Sequence, residues 1–483
     1  MKKYKGNLKD QWIDFKYWAM NWADMLKLVA GSPYRVIIGM FKYPWIYDLL
    51  KVNNFGKLLN EGRNGTSMQL SLMTVNGVTK CCTRLLKMFV YDDRDIIFAH
   101  CMVPPQIYQA MDLKWFMPET AASFLPFVDQ HACERYMDLI ESEGLPGDTC
   151  SYPRITAGVY AAGEIPRKPM AMIAANYPCE GGFASYAGIE LGEDVPTYRL
   201  DVPNDFNSEE GLKALVTDIK GMISFLEEKT GHRMDWDKLR EICGRYNEMT
   251  EMEIERWEFA RGDVPTLAGE NIWLPHMLYF NIESGTPGSI KMYRKLHKHI
   301  KAAYKRGEPA IKDMRFRAVL WDPPAFIYGH FWNWMERCWG IACLNDMETF
   351  CDLNEFIIDT STNDTMVTGL AKTWRSMPMT RHNRGKVENY MSQLFQLTEM
   401  FRADMIIVAN HIGCRGSIAL SGVMNEEARK RNIPVCTFDY EMMDSRVCSR
   451  QGIRDQISNY MRTVMKAEPL DESLLIIDDD SEW

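Results

Sequence analysis

Three cysteines carry the setting in which a thiol can do chemistry. Cys150 lies in Asp148–Thr149–Cys150–Ser151, Cys179 in Asn176–Tyr177–Pro178–Cys179 and Cys414 in His411–Ile412–Gly413–Cys414. Each follows a strand or turn, each opens a helix, and each has small or polar neighbours. A helix N-terminus lowers a thiol pKa and favours the thiolate that iron requires. Cys436 falls inside an apolar strand-like run and is expected to be inert. Cys81–Cys82 and the pair Cys338 and Cys343, the latter within a helix-like run, are expected to pack. No CxxC pair occurs, which weakens zinc-ribbon, thioredoxin-like and ferredoxin chemistry alike. No GxGxxG follows a strand, and neither GxxxxGK[ST] nor HExxH is present. The residues alone leave two readings open: ligands to iron, or three buried structural thiols, the usual fate of cysteine.

The compartment bears on that choice. With 56 basic and 65 acidic residues the net charge is −9, against a general nucleic-acid binder, which needs a basic face. No stretch reaches the roughly 20 apolar residues that cross a bilayer; the best, from Leu26 to Phe41, holds Lys27 and Arg35. The lysines of MKKYKGNLKDQW precede no apolar segment, so no secretory signal is expected. The expectation is a cytoplasmic protein with no nucleic-acid and no membrane partner. There, 13 cysteines are thiols or metal ligands rather than disulfides. The 33 methionines fill core gaps and oxidise readily, a composition at ease without oxygen.

The elements around the cysteines repeat. The run 169–175 is an apolar strand, Asn176 to Cys179 a turn, a helix begins near Glu180, and a second strand ends at Asp201. The run 404–409 is likewise a strand, Asn410 to Cys414 a turn, a helix runs to Lys430, and the strand from Pro434 ends at Asp439. Both are βαβ units with a cysteine beyond the carboxyl end of the first strand, where open α/β sheets bind ligands. Ile96 to Ala99 is a further strand, broken at Val103–Pro104–Pro105, and Phe127 to Glu143 is expected as one helix. Before residue 96 the chain is helical and aromatic. Trp12, Phe15, Trp18 and Trp22 recur at helical spacing and are expected to pack in the core or at a subunit interface. The spacing also places an aromatic stripe at Tyr328, Phe331, Trp332, Met335 and Trp339, expected to pack in the core, and a basic helix from Lys291 to Arg306 that could hold phosphates or simply face water.

With these segments in order, the chain resembles the 2-hydroxyacyl-CoA dehydratases, a superfamily that includes benzoyl-CoA reductase subunits. The run Pro105 to Glu119 is similar to their substrate-side segment, and Asp148–Thr–Cys–Ser–Tyr–Pro–Arg154 to their first cluster segment. Asn176 to Cys179 and His411–Ile–Gly–Cys–Arg415 occupy the places of the second and third cluster cysteines. Asn432 to Asp439, followed by Asp444–Ser–Arg446, resembles the C-terminal strand and loop. The resemblance spans about residues 96 to 465 and leaves the N-terminal region outside.

It implies that Cys150, Cys179 and Cys414 bind a [4Fe–4S] cluster with one iron lacking a protein thiolate, a Lewis acid for a thioester carbonyl. One electron from a separate ATP-hydrolysing iron–sulfur activator would make a ketyl radical of an acyl-CoA thioester, expel the 2-hydroxyl and return the electron. Glu119 matches the family's carboxylate near the substrate, against the alternative of a capping or ion-paired surface residue. The family's serine-rich stretch is replaced by Ala99–His100–Cys101–Met102–Val103, where His100 would supply the polar contact or only cap the strand. Loss of the serine keeps an aryl-CoA reductase in view, beside a non-catalytic electron-relay subunit and a protein with no cluster. A related second subunit, as hetero- or homodimer, is expected. The predicted fold is α/β: two Rossmann/flavodoxin-like parallel-sheet domains at 96–208 and 313–470. A helical layer at 209–312 joins them, a helical extension at 1–95 precedes them, and an acidic tail at 471–483, expected to be disordered, follows.

Overall fold

The computed structural model describes residues 7–90, 95–165, 168–205, 207–383 and 385–479, so residues 1–6 of the extension and 480–483 of the tail lie outside it. Among the described residues eight strands form two four-stranded parallel sheets of α/β type. The first holds β1 (Ile96–Ala99), β2 (Lys114–Phe116), β3 (Met172–Ala175) and β4 (Thr197–Leu200), in the order β2-β1-β3-β4. The second holds β5 (Phe316–Trp321), β6 (Ile341–Asp346), β7 (Met405–His411) and β8 (Val435–Tyr440), in the order β6-β5-β7-β8. Every neighbouring pair runs parallel. The inner strands of the first sheet, β1 and β3, are apolar throughout and buried at every residue because helices cover both faces.

The two sheets share one permutation, so each has a switch point between its first and third strands. Connections diverge there to opposite faces and leave a crevice at the carboxyl edge. In the first sheet that crevice is flanked by the residues after β1 and β3; in the second, by those after β5 and β7.

Between the sheets stand the helices Glu209–Thr230, Trp236–Arg261 and Pro287–Lys305. Ser208, Asp235 and Thr286 cap them, each accepting a hydrogen bond from a first-turn amide. Glu253 ties this layer together: it accepts from Tyr293 and contacts Arg256 and His276, all buried. The basic face of Pro287–Lys305 is partly spoken for, because Arg294 pairs with Glu248, while His297 and Lys301 pair with Glu255. The aromatic stripe from Tyr328 to Trp339 is buried, as expected of core.

Three expectations need correction, and a fourth is narrowed. Phe127 to Glu143 is two helices, Pro118–Val128 and Glu134–Ser142. The break falls where Asp129 turns extended, pairs with Lys51 and accepts the His131 amide. Cys338 and Cys343 share no helix; Phe331–Trp339 ends at Gly340 with φ 70°, and Cys343 lies on β6. The tail is ordered through Asp479, which accepts from Arg454 at 2.7 Å, with Leu474 buried. In the helix Leu8–Gly31 the buried residues are Asp10, Tyr17, Asn21, Met25 and Leu28. Trp12, Phe15, Trp18 and Trp22 face outward at 64%, 53%, 45% and 38% exposure, so of the two expected places, core and subunit interface, the core of this chain is ruled out. The inward face is the more polar one because it finds partners, Asn76 Nδ2 donating to Asn21 Oδ1 at 2.7 Å.

The helix Ser151–Ala161, which Cys150 begins, is seated by a close approach: a Cβ at Gly158 would lie 2.3 Å from the Tyr136 carbonyl oxygen. Gly158→Ala is expected to lower stability by about 1–3 kcal/mol in urea unfolding. Gly188→Ala, on the helix Glu180–Glu193 with no atom within 4 Å of its Cβ, is expected to raise it by about 0.5–1 kcal/mol. Equal responses would show that the contact does not seat the helix.

Candidate functional site

Cys150, Cys179 and Cys414 are the N-cap residues of Ser151–Ala161, Glu180–Glu193 and Arg415–Lys430. All three are free thiols, Cys179 exposed and the others half-buried. Two of the turns are braced alike by an asparagine at the strand end. Asn176 donates to Asp201, and its Oδ1 accepts from the Val202 amide at 2.9 Å. Asn410 Nδ2 donates to Asp439 Oδ1 at 2.5 Å, and its Oδ1 accepts from Ser421 Oγ at 2.9 Å. Each brace ties the strand end to the neighbouring strand's last residues, so the cysteine loop leaves the sheet at a fixed angle.

The three loops meet where the carboxyl edges of the two sheets face one another. His411 Nε2 lies 3.2 Å from Cys150 Sγ. A Cβ at Gly413 would stand 3.0 Å from the Cys150 Cα, and one at Gly181 would stand 3.6 Å from both Cys179 Sγ and Pro153 Cγ. The loops therefore approach so closely that glycine is required beside Cys414. Burial pushes the Cys150 thiol well above its ordinary pKa, with Glu441 and the Cys179 and Cys414 thiols adding to the effect. Burial likewise raises Cys414. The expected lowering by a helix N-terminus is thus overturned at these two positions, because desolvation and mutual repulsion outweigh the helix end. Three soft sulfur donors at the starts of three separate helices fit the ligand set of an iron–sulfur cluster.

Charged groups lock the meeting point. Arg154, on the Cys150 helix and 1% exposed, donates to Glu141 of its own domain and to Asp444 Oδ2 of the second at 3.3 Å. Glu441 accepts the Ser151 amide at 3.2 Å across the junction, and the Met443 and Asp444 amides at 2.9 Å. Arg446 adds bonds to Asp444, Glu141 and Asp138, and Arg415, next to Cys414, pairs with Asp148. Arg154, Asp444 and Arg446 fall in segments singled out from the sequence; Glu441 had no signal there beyond its place just after a strand.

Beside Cys179 lies a second group, His100, Cys101 and Glu119, whose ligating atoms are all within 4.8 Å of one another. Glu119 is 1% exposed, which removes the surface reading. Its Oε2 accepts from Tyr186 Oη at 3.0 Å and the Cys101 amide at 3.2 Å, while Oε1 is buried without a hydrogen bond. Burial raises its pKa to about 8 despite those bonds, so the carboxyl holds its proton at neutral pH. His100 is the converse case. Burial lowers its pKa to about 3, so it is neutral. The Met102 amide donates to Nδ1 at 3.2 Å, which leaves the proton on Nε2, 3.4 Å from Glu119 Oε1. A Cβ at Gly182 would lie 2.8 Å from His100 Nε2, so the helix that begins at Cys179 needs glycine there.

The second sheet sets Asp322 at the corresponding switch point. It follows β5 with φ 69° and accepts from Tyr390 Oη at 2.8 Å and from Ser417 Oγ, and burial raises it to about 6. Glu348 is raised to about 8 by burial and the nearby Asp346, and accepts from Trp273 Nε1 at 2.5 Å. Sequence reasoning missed both; the only signal for Asp322 was its place ahead of Pro323–Pro324. An apolar cleft lined by Trp45, Cys82, Phe116, Pro118 and Phe124 lies on the helix that carries Glu119 but includes neither Glu119 nor the three cysteines.

Glu119 and Glu348 hold protons between pH 4.5 and about 8 that the unfolded chain has released, so their contribution to stability falls as pH rises through that window. His100 acts in the opposite sense only between about 3 and 6.5. The melting temperature of the metal-free protein is therefore expected to be lower at pH 8.5 than at pH 6.5. Glu119→Gln should shrink that difference, and an unchanged difference would mean that Glu119 is ionised throughout.

The family described as 2-hydroxyglutaryl-CoA dehydratase, D-component, matches residues 100–462. No curated protein matches the chain. Among the described residues no helix is long and apolar enough to cross a membrane.

Proposed function

The chain belongs to the 2-hydroxyglutaryl-CoA dehydratase D-component family and is a subunit of the 2-hydroxyacyl-CoA dehydratase type, and from that footing we propose that it is the iron–sulfur subunit of a radical dehydratase that removes water from a 2-hydroxyacyl-CoA. The observation that carries the proposal is the meeting of three N-capping cysteines at the junction of two sheets, beside a protonated carboxyl. Cys150, Cys179 and Cys414 would hold a [4Fe–4S] cluster. When bound, it supplies a Lewis-acidic iron and one low-potential electron, giving the thioester the ketyl-radical character that loosens the 2-hydroxyl and acidifies the β-hydrogen.

The protein's own residues then handle protons. Glu119, neutral through burial, donates its proton to the departing hydroxyl, which leaves as water when the C2–O bond breaks. The carboxylate so formed takes the proton from C3 as the double bond forms, and Glu119 returns to its starting state. His100, held as the Nε2–H tautomer 3.4 Å from Oε1, would turn its N–H to the carboxylate formed between those two steps and steady it without gaining charge. Tyr186 and the Cys101 amide bind Oε2, so the exchanging proton is confined to Oε1. The electron would come from an ATP-dependent iron–sulfur activator, and a related second subunit would complete the enzyme. His100–Cys101–Met102 in place of a serine-rich segment favours one second reading, an aryl-CoA reductase subunit in which electrons are consumed rather than returned.

Anaerobically purified protein is expected to contain iron and sulfide, and Cys150→Ala, Cys179→Ala and Cys414→Ala to lose most of both. Colourless, iron-free wild-type protein overturns the proposal. With activator and partner present, Glu119→Gln is expected to keep its iron and to dehydrate a 2-hydroxyacyl-CoA roughly 10²- to 10⁴-fold more slowly. Turnover of an aryl-CoA with net electron consumption would select the second reading.

A further inference from the structure

Cys101 is not explained by the proton handling just described. It directly follows His100, at the switch point of the first sheet, where the connection from β1 leaves in one direction and that from β3 in the other. Its thiol is half-buried and reduced. Two contacts tie it to the cluster loops. Tyr152, two residues after Cys150, is its side-chain hydrogen-bond partner. His100 and Glu119, within 4.8 Å of its sulfur, rest on Gly182, three residues after Cys179. A second feature points into the same space: Glu119 Oε1, buried and without a hydrogen bond, faces this group.

A separate mononuclear ion on His100, Cys101 and Glu119 fits less well. The Met102 amide occupies the Nδ1 lone pair, so Nε2 carries a proton and has no lone pair for a metal. The sulfur remains, a soft donor on the Cys179 side of a ligand set that is one thiolate short of four.

We propose that Cys101 supplies a fourth thiolate to the cluster, closing in the resting protein the iron that Cys150, Cys179 and Cys414 leave without a protein ligand. The inference rests on the cluster reading above. Closure forms an iron–sulfur bond as the Cys101 S–H bond breaks; the proton goes to solvent, and no electron changes hands. A thioester oxygen reaches that iron only by displacing the sulfur, which takes a proton back. The resting cluster is thereby guarded against water and small ligands until substrate arrives.

The test compares anaerobically purified wild type with Cys101→Ala and Cys101→Ser by iron and sulfide analysis and by EPR of the reduced cluster with and without cyanide, a small ligand for an open iron. Wild type is expected to give the same spectrum with and without cyanide. Cys101→Ala should retain the wild-type iron content and show a cyanide-dependent spectrum, and Cys101→Ser an altered spectrum without cyanide. A cyanide response in wild type equal to that of Cys101→Ala, at full iron content, overturns the fourth ligand and leaves the three-cysteine cluster standing. Iron-free wild type removes the cluster reading itself. Should either variant fail to fold, alkylation of wild type decides. Cys101 is expected to be protected from iodoacetamide in the iron-loaded protein and modified after chelation; its modification in the loaded protein overturns the proposal.

Discussion

The buried cluster of charge around Arg154 is the constraint on which the site depends. A guanidinium taken almost entirely out of water loses several kcal/mol of hydration, and only paired carboxylates in good geometry offset that loss. The partners come from both domains: Glu141 from the first, Glu441 and Asp444 from the second. An ion cluster of this kind adds little net stability compared with an apolar replacement, but it permits one register only. Slide one domain against the other and a charge is stranded in the interior, at a cost of about 3–5 kcal/mol. Cys150 is the residue before the Arg154 helix, and Glu441 follows the strand beside that of Cys414. Fixing Arg154 against Glu441 and Asp444 therefore fixes the thiols from the two domains against each other, to the tolerance that a metal centre needs.

Burial acts on the carboxyls of this protein in two opposite ways, and the difference separates scaffold from chemistry. Glu253 is as deeply buried as Glu119, yet Arg256 and His276 hold its pKa down at about 2, so it is a permanent anion in a structural knot. Glu119 has no cation beside it; His100 is neutral, and the remaining contacts are an amide and a phenol. Its proton therefore stays near neutral pH and is exchangeable, which is what a group serving first as acid and then as base requires.

Features encoded over a few residues were legible in the sequence. The strand of Ile96–Ala99 and the N-cap positions of the three cysteines follow from local apolar runs and turn chemistry. The parallel sheets followed from the alternation of β and α patterns. What depends on a distant partner was not legible. The break after Val128 is set in part by Lys51, 78 positions from Asp129. The aromatic stripe of Leu8–Gly31 faces outward because the opposite face holds Asn21, whose partner Asn76 is 55 positions away. Within the site, Glu441 and Asp322 matter through contacts that no pattern along the chain reveals. The pKa of a thiol at a helix N-terminus was misjudged for the same reason: the helix end is local, but the desolvation that outweighs it is tertiary.

The two domains repeat one plan, and the place where the repeat fails is informative. Each has an asparagine at the strand end bound to an aspartate of the next strand, a cysteine at the following N-cap, and an acid near the switch point. In the second domain that acid is Asp322, and both of its oxygens are engaged, one by Tyr390 and the other by Ser417. It is a brace for the Arg415–Lys430 helix with no acceptor to spare. In the first domain Glu119 engages one oxygen and leaves the other unbonded, facing His100 and Cys101. A site built from two equivalent edges is thus chemically one-sided. On the function proposed above, substrate approaching the junction would meet a saturated acid toward Cys414 and an unsaturated one toward Cys179, which assigns proton transfer to the first domain's edge.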